Sequence, residues 1–486
     1  MSTTKDATTH SGDSSPKSHS PSPLNSRPVS PLSTPNSSRP PSPLLRALPS
    51  GGIRKGGLNA LSGGSMAFTS VQPQRQSQRT NSQRSTKKTH SRAVSETSES
   101  DGEEAKVERP VPKRRSSSGV IAAAMAPYVT EFDLYEPEKV DGETQKIAII
   151  GSGSWGTALA RIAALNAAEK KGFNPEVRMW VREREIPGEG LLTEIINSTH
   201  QHSRYLPDVT LPHNLKAVSD LAEVAKDATL LVLVVPHQFL PPVLDKLSKP
   251  GVLAPNARAI SAIKGVEVKG DQIYTYPHII EEKLGIPCSA LGGANIALEV
   301  ANSEFCETTI GVPSPEDAAL WHAVFDSPAF RVHPIEDVAG VSLSGALKNV
   351  VAMAAGFVDG MGLGGNTKAA ILRIGLIEMA SFTKEFFPSS SSLTFSHHSA
   401  GVADLITTSF GGRNRKCAEA FVKTGKSFAQ LEHELLKGQK LQGVATADEI
   451  FHFLEARGRL EGYPLFEKVY RISFEGMDPK CLFENL

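Results

Sequence analysis

Along the first 125 residues apolar side chains are scattered without period among Ser, Pro, Thr, Gly and basic residues, and only after residue 145 do they fall into regular runs. The first run, Lys146-Ile147-Ala148-Ile149-Ile150, is short, continuous and ended by Gly151. Such a run predicts a parallel strand buried on both faces. Residues 157–170 are rich in Ala and Leu and predict a helix. After the turn around Gly172 and Pro175, residues 177–181 predict a second strand, so one βαβ unit is legible. Residues 220–227 read as helix and 229–235 as a strong strand stopped by Pro236. Further apolar runs at 257–263, 289–291 and 308–312 extend the sheet into an open, doubly wound parallel α/β architecture of Rossmann type. Near Pro334 the period changes, and from Val341 onward the pattern is helical at 346–356, 368–386, 415–423 and 445–457. The expected organisation is a disordered tail over 1–125, a doubly wound domain over 146–334 and an all-helical domain over 335–486.

Charge sharpens the first boundary. The chain carries 52 basic and 52 acidic side chains, but residues 1–96 hold 13 Lys and Arg against only Asp6, Asp13 and Glu96. This stretch has too few apolar groups to repay the entropy of ordering. Ser15, Ser20, Ser22, Ser30 and Ser42 each precede proline, and Ser116 follows Lys113-Arg114-Arg115. An extended chain exposes such hydroxyls, so proline-directed and basic-directed kinases are expected partners of the tail. Nucleic-acid binding is disfavoured, because Phe68 is the tail's one stacking aromatic and no recognition module is present. Cys288, Cys306, Cys417 and Cys481 are widely spaced and read as reduced thiols of an intracellular protein. No uninterrupted apolar stretch reaches about 18 residues, and the N-terminus lacks a secretory pattern. A cytoplasmic location without membrane insertion is expected.

The segment Gly151-Ser152-Gly153-Ser154-Trp155-Gly156 has GxGxxG spacing. The spacing alone is weak, but here it lies between a predicted strand and a predicted helix. In that setting the first glycine makes the tight turn, the second admits a pyrophosphate, the third permits close helix packing, and the helix N-terminus faces the phosphate charge. A P-loop is excluded because no Gly-Lys-Ser or Gly-Lys-Thr follows, and no close histidine pair calls for a metal. Further on, Lys348 and Asn349 interrupt a small, apolar helical stretch, and a buried charge there needs a partner. Asp404, alone in the apolar stretch 401–408, is the obvious one, with Arg413 shortly after it. Lysine beside aspartate, with an arginine fork nearby, can protonate an oxygen and hold an anionic group. An internal salt bridge beside a surface arginine is the other reading of the same pattern.

With these segments the sequence resembles the NAD-dependent glycerol-3-phosphate dehydrogenase family, close to its eukaryotic cytosolic members, over about residues 146–476. The resemblance also rests on Val234-Val235-Pro236-His237-Gln238-Phe239, Ile263-Lys264-Gly265-Val266, Gly293-Ala294-Asn295-Ile296-Ala297, Asn366-Thr367-Lys368-Ala369-Ala370 and Gly438-Gln439-Lys440-Leu441-Gln442-Gly443. It implies reversible reduction of dihydroxyacetone phosphate to sn-glycerol 3-phosphate by a homodimer using NAD. Lys348 matches the family's active-site lysine, Asp404 its paired carboxylate, and Lys264 a second lysine at the reacting centre. Asn349, Thr408, Arg413 and Asn414 match substrate contacts. The glycine loop with Ser152, Ser154 and Trp155, together with Phe239, Lys264, Asn295, Ala297, Arg413, Lys440 and Gln442, matches cofactor contacts. A 2-hydroxy-acid or 6-phosphogluconate type dehydrogenase would be expected to lack the Lys348, Asp404 and Arg413 segments together, and an NADH-sensing regulator to lose Lys348 or Asp404. One departure concerns the cofactor: Arg182 stands where eukaryotic members usually have phenylalanine. An arginine there can hold a 2′-phosphate or simply lie over the adenine or in solvent, while the adjacent Glu183 is expected to repel a 2′-phosphate. NAD is the expected preference, weaker than in a phenylalanine-bearing relative.

Overall fold

The computed structural model describes residues 144–436 and 438–486. All of these fall within the unit Lys106–Leu486. The tail expected over 1–125 lies outside the described residues.

Eight strands form the main sheet: β1 (Ile147–Ile150), β2 (Val177–Trp180), β3 (Leu215–Val218), β4 (Leu230–Leu233), β5 (Arg258–Ser261), β6 (Cys288–Gly292), β7 (Cys306–Gly311) and β8 (Phe330–Ile335). Their spatial order is β8-β7-β6-β5-β4-β1-β2-β3. β1 lies between β2 and β4, parallel to both, and all four of its residues are buried. That double burial is why it reads as a continuous apolar run. The chain builds outward from β1 first on one side and then on the other, which makes the carboxyl end of β1 the switch point where such sheets bind ligands. The sheet is parallel from β3 through β6. β7 then runs antiparallel to β6, and β8 pairs parallel with β7. The doubly wound repeat therefore ends in a reversed pair, a direction that apolar runs alone do not reveal.

Beyond β8 the described chain is helical. Its axis is α2 (Val338–Gly360), capped at its start by Asp337, whose carboxylate accepts from Gly340 N at 2.8 Å. The later helices α3 (Gly365–Phe386), α4 (Asp404–Gly411), α5 (Arg413–Thr424), α6 (Gln442–Ala456) and α7 (Pro464–Phe474) all pack against it. α2 is buried continuously from Gly340 to Val358. A helix apolar all round must lie inside a protein or a membrane. This one is long and apolar enough to cross a bilayer, yet its apolar stretch is wholly buried within the fold. Close approach comes from glycine: a Cβ on Gly356 would stand 2.3 Å from the Arg415 carbonyl oxygen and 2.6 Å from Ala418 Cβ, so α2 and α5 meet backbone to backbone.

Candidate active site

The glycine loop leaves the carboxyl end of β1 and enters helix α1 (Ser154–Glu169), which starts within the motif rather than at residue 157. Gly151 has φ of +125°, and a Cβ on it would lie 2.9 Å from the Val234 carbonyl oxygen. A Cβ on Gly156 would lie 2.1 Å from the Gly151 carbonyl oxygen, which fixes the third glycine by contact. Around Gly153 there is open space within 4 Å. The loop thus offers two closed glycines that hold its shape and one open glycine where a pyrophosphate would approach. Trp155 packs against the core, its ring 6.3 Å from that of Phe330. On the neighbouring loops, the Asn295 amide donates to Glu307 O at 2.8 Å while its Oδ1 is buried with no partner among the described residues. An orphan acceptor on the same carboxyl edge of the sheet fits a ligand carrying N–H groups. Ala297 opens the following short helix Ala297–Ala301. The site therefore suits a dinucleotide.

The helical half supplies the charges. Lys348, in the middle of α2, is 3% exposed and ion-paired with Asp404 Oδ1 at the start of α4. Its Nζ also donates to Thr408 Oγ1 at 2.8 Å, and Thr408 Oγ1 lies 3.3 Å from Asp404 Oδ1. Asp404 and Thr408 are one helical turn apart on α4, so both face α2. Lys264, on the loop after β5, closes the cluster with Nζ 3.4 Å from Asp404 Oδ2. Its stem runs past Gly345, where a Cβ would sit 3.8 Å from Lys264 Cγ. Two cations thus share one carboxylate. Burial lowers the Lys348 ammonium to about 7, Asp404 opposes that shift, and Lys264 adds to it.

Beside this cluster Asn414 Nδ2 donates to Asn349 Oδ1 at 2.9 Å, and Gly443 N donates to Asn414 Oδ1 at 3.0 Å. Both asparagines are buried, and Asn349 Nδ2 turns back to Gly345 O at 3.1 Å. The structure therefore joins them in one amide chain to the start of α6, where Gln442 lies. Arg413, at the start of α5, is exposed and donates to Gln439 Oε1 at 2.6 Å. Lys440 pairs with Glu432 at 2.8 Å, and Leu441 N donates to the same carboxylate at 2.9 Å. Sequence reasoning does not single out Glu432 or Gln439, because one sits in a charged helical run and the other in a polar loop. A carboxylate four residues past Phe428 in an amphipathic helix is the only trace of the first.

Beyond β2, Arg182 is exposed and its guanidinium lies 5.9 Å from the centre of the Phe239 ring, which follows β4. The adjacent Glu183, expected to repel a 2′-phosphate, is engaged by the protein itself. Its Oε2 accepts from Thr193 Oγ1 at 2.5 Å and its Oε1 from Thr193 N at 3.2 Å, so the carboxylate is committed to the helix Leu192–Thr199.

A glycine loop at the switch point and a buried lysine–carboxylate pair served from the same edge of the sheet define the class: a dinucleotide-dependent oxidoreductase. The family follows from comparison. Residues 146–318 match the family described as NAD-dependent glycerol-3-phosphate dehydrogenase N-terminus, and residues 337–484 match its C-terminus. The chain is 52% identical over 344 residues to glycerol-3-phosphate dehydrogenase [NAD(+)] 1 of Schizosaccharomyces pombe, covering 69% of this chain and 89% of that one. It is 50% identical over 333 residues to the cytoplasmic NAD(+) enzyme of Homo sapiens, covering 68% and 95%. A solved glycerol-3-phosphate dehydrogenase from Saccharomyces cerevisiae superposes with a TM-score of 0.66 at 46% identity, covering 70% of this chain and 98% of that one. The chain belongs to the NAD-dependent glycerol-3-phosphate dehydrogenase family.

Proposed function

We propose that the chain catalyses reversible reduction of the C2 ketone of dihydroxyacetone phosphate by NADH, giving sn-glycerol 3-phosphate and NAD. The observation that carries this reading is the buried Lys348–Asp404 pair, flanked by Thr408 and Lys264, in a chain of this family. When bound, the nicotinamide supplies the hydride in one direction and accepts it in the other. The work of the chain's own residues is to bind, orient and move a proton. Negative charge grows on the ketone oxygen during reduction, so an ammonium there stabilises the transition state more than the ketone. Lys348 delivers its proton to that oxygen. Asp404 holds the ammonium in place, and Lys264 adds positive charge while keeping Lys348 easy to deprotonate. Arg413 takes the terminal phosphate with a fixed fork, leaving Gln439, while Asn349, Thr408 and Asn414 orient the substrate. The glycine loop, with Ser152, Ser154 and Trp155, holds the pyrophosphate end of NAD. Phe239, Lys264, Asn295, Ala297, Arg413, Lys440 and Gln442 line the rest.

In this reading the dinucleotide domain spans 146–334 and the substrate domain 335–486, the assembly is a homodimer, and the location is cytoplasmic, as the human relative's name states of that protein. The test is NADH oxidation with dihydroxyacetone phosphate as the sole ketone. Turnover that appears with this ketone and not with 2-keto acids supports the assignment, and its absence refutes it.

A further inference from the structure

The buried seam between the cofactor loops and the segment leading to Asp404 is fastened by hydroxyls, first among them that of Ser399. Ser399 is 6% exposed and lies between the helix Leu393–His397 and α4. Its Oγ accepts from Ala294 N at 3.3 Å and donates to Glu307 O at 2.9 Å. The Asn295 amide donates to that same carbonyl at 2.8 Å, so both lone pairs of Glu307 O are taken. One residue on, Ala400 N donates to the fully buried Thr309 Oγ1 at 3.1 Å. Thr308, between the two anchoring positions of β7, donates to Gly292 O at 3.1 Å and ties the strand to the start of the Ala294–Asn295 segment.

Ser399 opens a single π-helical turn, Ser399–Ala403, and Asp404 follows it directly as the first residue of α4. Isolated π turns inside helical segments are enriched at functional sites. This turn has no slack. A Cβ on Gly401 would lie 2.3 Å from Phe395 O, and a Cβ on Gly292 would lie 3.3 Å from Ala400 Cβ. A shift of Ser399 relative to β7 is therefore passed on to Asp404 at one end and to the Ala294–Asn295 backbone at the other.

We propose that Ser399 is a positioning residue that sets the separation between the dinucleotide segment Gly293-Ala294-Asn295 and the Lys348–Asp404 pair; this rests on the reaction assigned above. The hydroxyl touches neither reacting group. It acts by joining the backbone of Ala294 to that of Glu307 at the turn that leads into Asp404, and hydride transfer is sensitive to misplacement of about 1 Å. Thr309 is the second fastening of the same seam.

The experiment compares Ser399→Ala and Thr309→Val with the wild-type protein for kcat, both KM values, melting temperature and the primary deuterium isotope effect with NADH labelled at the transferred position. Wild-type turnover of dihydroxyacetone phosphate decides the reaction itself, so that reading fails or stands before the variants are considered. For Ser399→Ala the expected result is a loss in kcat of about tenfold, the order set by one buried hydrogen bond, with a larger isotope effect and KM for the ketone within about twofold. Thr309→Val is expected to move kcat and the isotope effect in the same direction, and carries the test if Ser399→Ala does not fold. A lowered melting temperature with kcat and isotope effect unchanged overturns the proposal, since that is what a purely structural serine gives.

Discussion

A lysine deprived of water holds its proton only as firmly as its neighbours allow. Lys348 has one carboxylate in favour of the charge and burial plus a second lysine against it, which brings its ammonium down to about 7. In the direction of ketone reduction the protonated form is needed, so kcat/KM is expected to fall as pH rises through about 7. In the direction of alcohol oxidation the neutral amine is needed and the profile rises over the same range. Parallel pH profiles in the two directions would remove Lys348 from proton transfer. Lys348→Ala is expected to cost at least roughly 100-fold in kcat while NADH binding, followed by fluorescence, stays near wild type. A variant keeping a tenth of the turnover would refute the role. The cofactor choice is decided at the same scale. Thr193 holds the Glu183 carboxylate in place next to Arg182, where it opposes a 2′-phosphate, while the exposed Arg182 guanidinium lies toward the Phe239 ring. NADH is expected to be preferred, and Arg182→Phe to widen that preference by lowering kcat/KM for NADPH roughly tenfold, the worth of a charge-assisted contact. An unchanged ratio would show that Arg182 does not read the 2′ position. Lys348 and Asp404 were legible in the sequence because each is a charge in an apolar run. The commitment of Glu183 was not, because its partner lies ten residues on and its bond depends on how the chain folds back.

Whole elements show the same division. Strands buried on both faces, such as β1 and β4, declare themselves as apolar runs. β3 buries only Leu215 and Ala217 at the sheet edge and leaves no run long enough to read. The reversal of β7 is likewise silent, because parallel and antiparallel buried strands share one composition. The helical half was legible in period but not in contact distance. Gly356 is required where α2 meets α5, and Gly356→Ala is expected to destabilise the fold by about 1–3 kcal/mol through overpacking, measured by denaturant unfolding. Equal stability would mean that the two helices can part without cost. The N-terminus of α7 is served by Glu378, whose carboxylate accepts from Leu465 N at 2.8 Å and Phe466 N at 3.0 Å. Burial raises its carboxyl to about 7, against the pull of those two N–H groups. A folded-state value above the unfolded one means stability that is fully present below about 4.5 and is lost as pH climbs through about 7. The melting temperature of wild type relative to Glu378→Gln is therefore expected to decline between those limits. A constant difference would show that Glu378 is ionised throughout.

At the scale of the whole molecule the question is which part of the chain the fold requires. The family match begins at residue 146, and relatives whose own length is 89–98% covered span only 69–70% of this chain. Complete folds of the family are thus built without a counterpart to the first 125 residues. Composition argues the same way, since a stretch rich in Ser, Pro and basic residues cannot bury enough apolar area to offset its ordering entropy. Among the described residues the core clusters run from Ile147 to Leu482. Deleting residues 1–125 is therefore expected to leave melting temperature and kcat close to those of the full chain. Serines preceding proline in the deleted part add negative charge when phosphorylated, so an effect of kinase treatment that acts through these serines is expected to be lost in the truncated chain. A large loss of stability or turnover on truncation would overturn this division. It would mean that the basic segment contributes to the fold despite its composition.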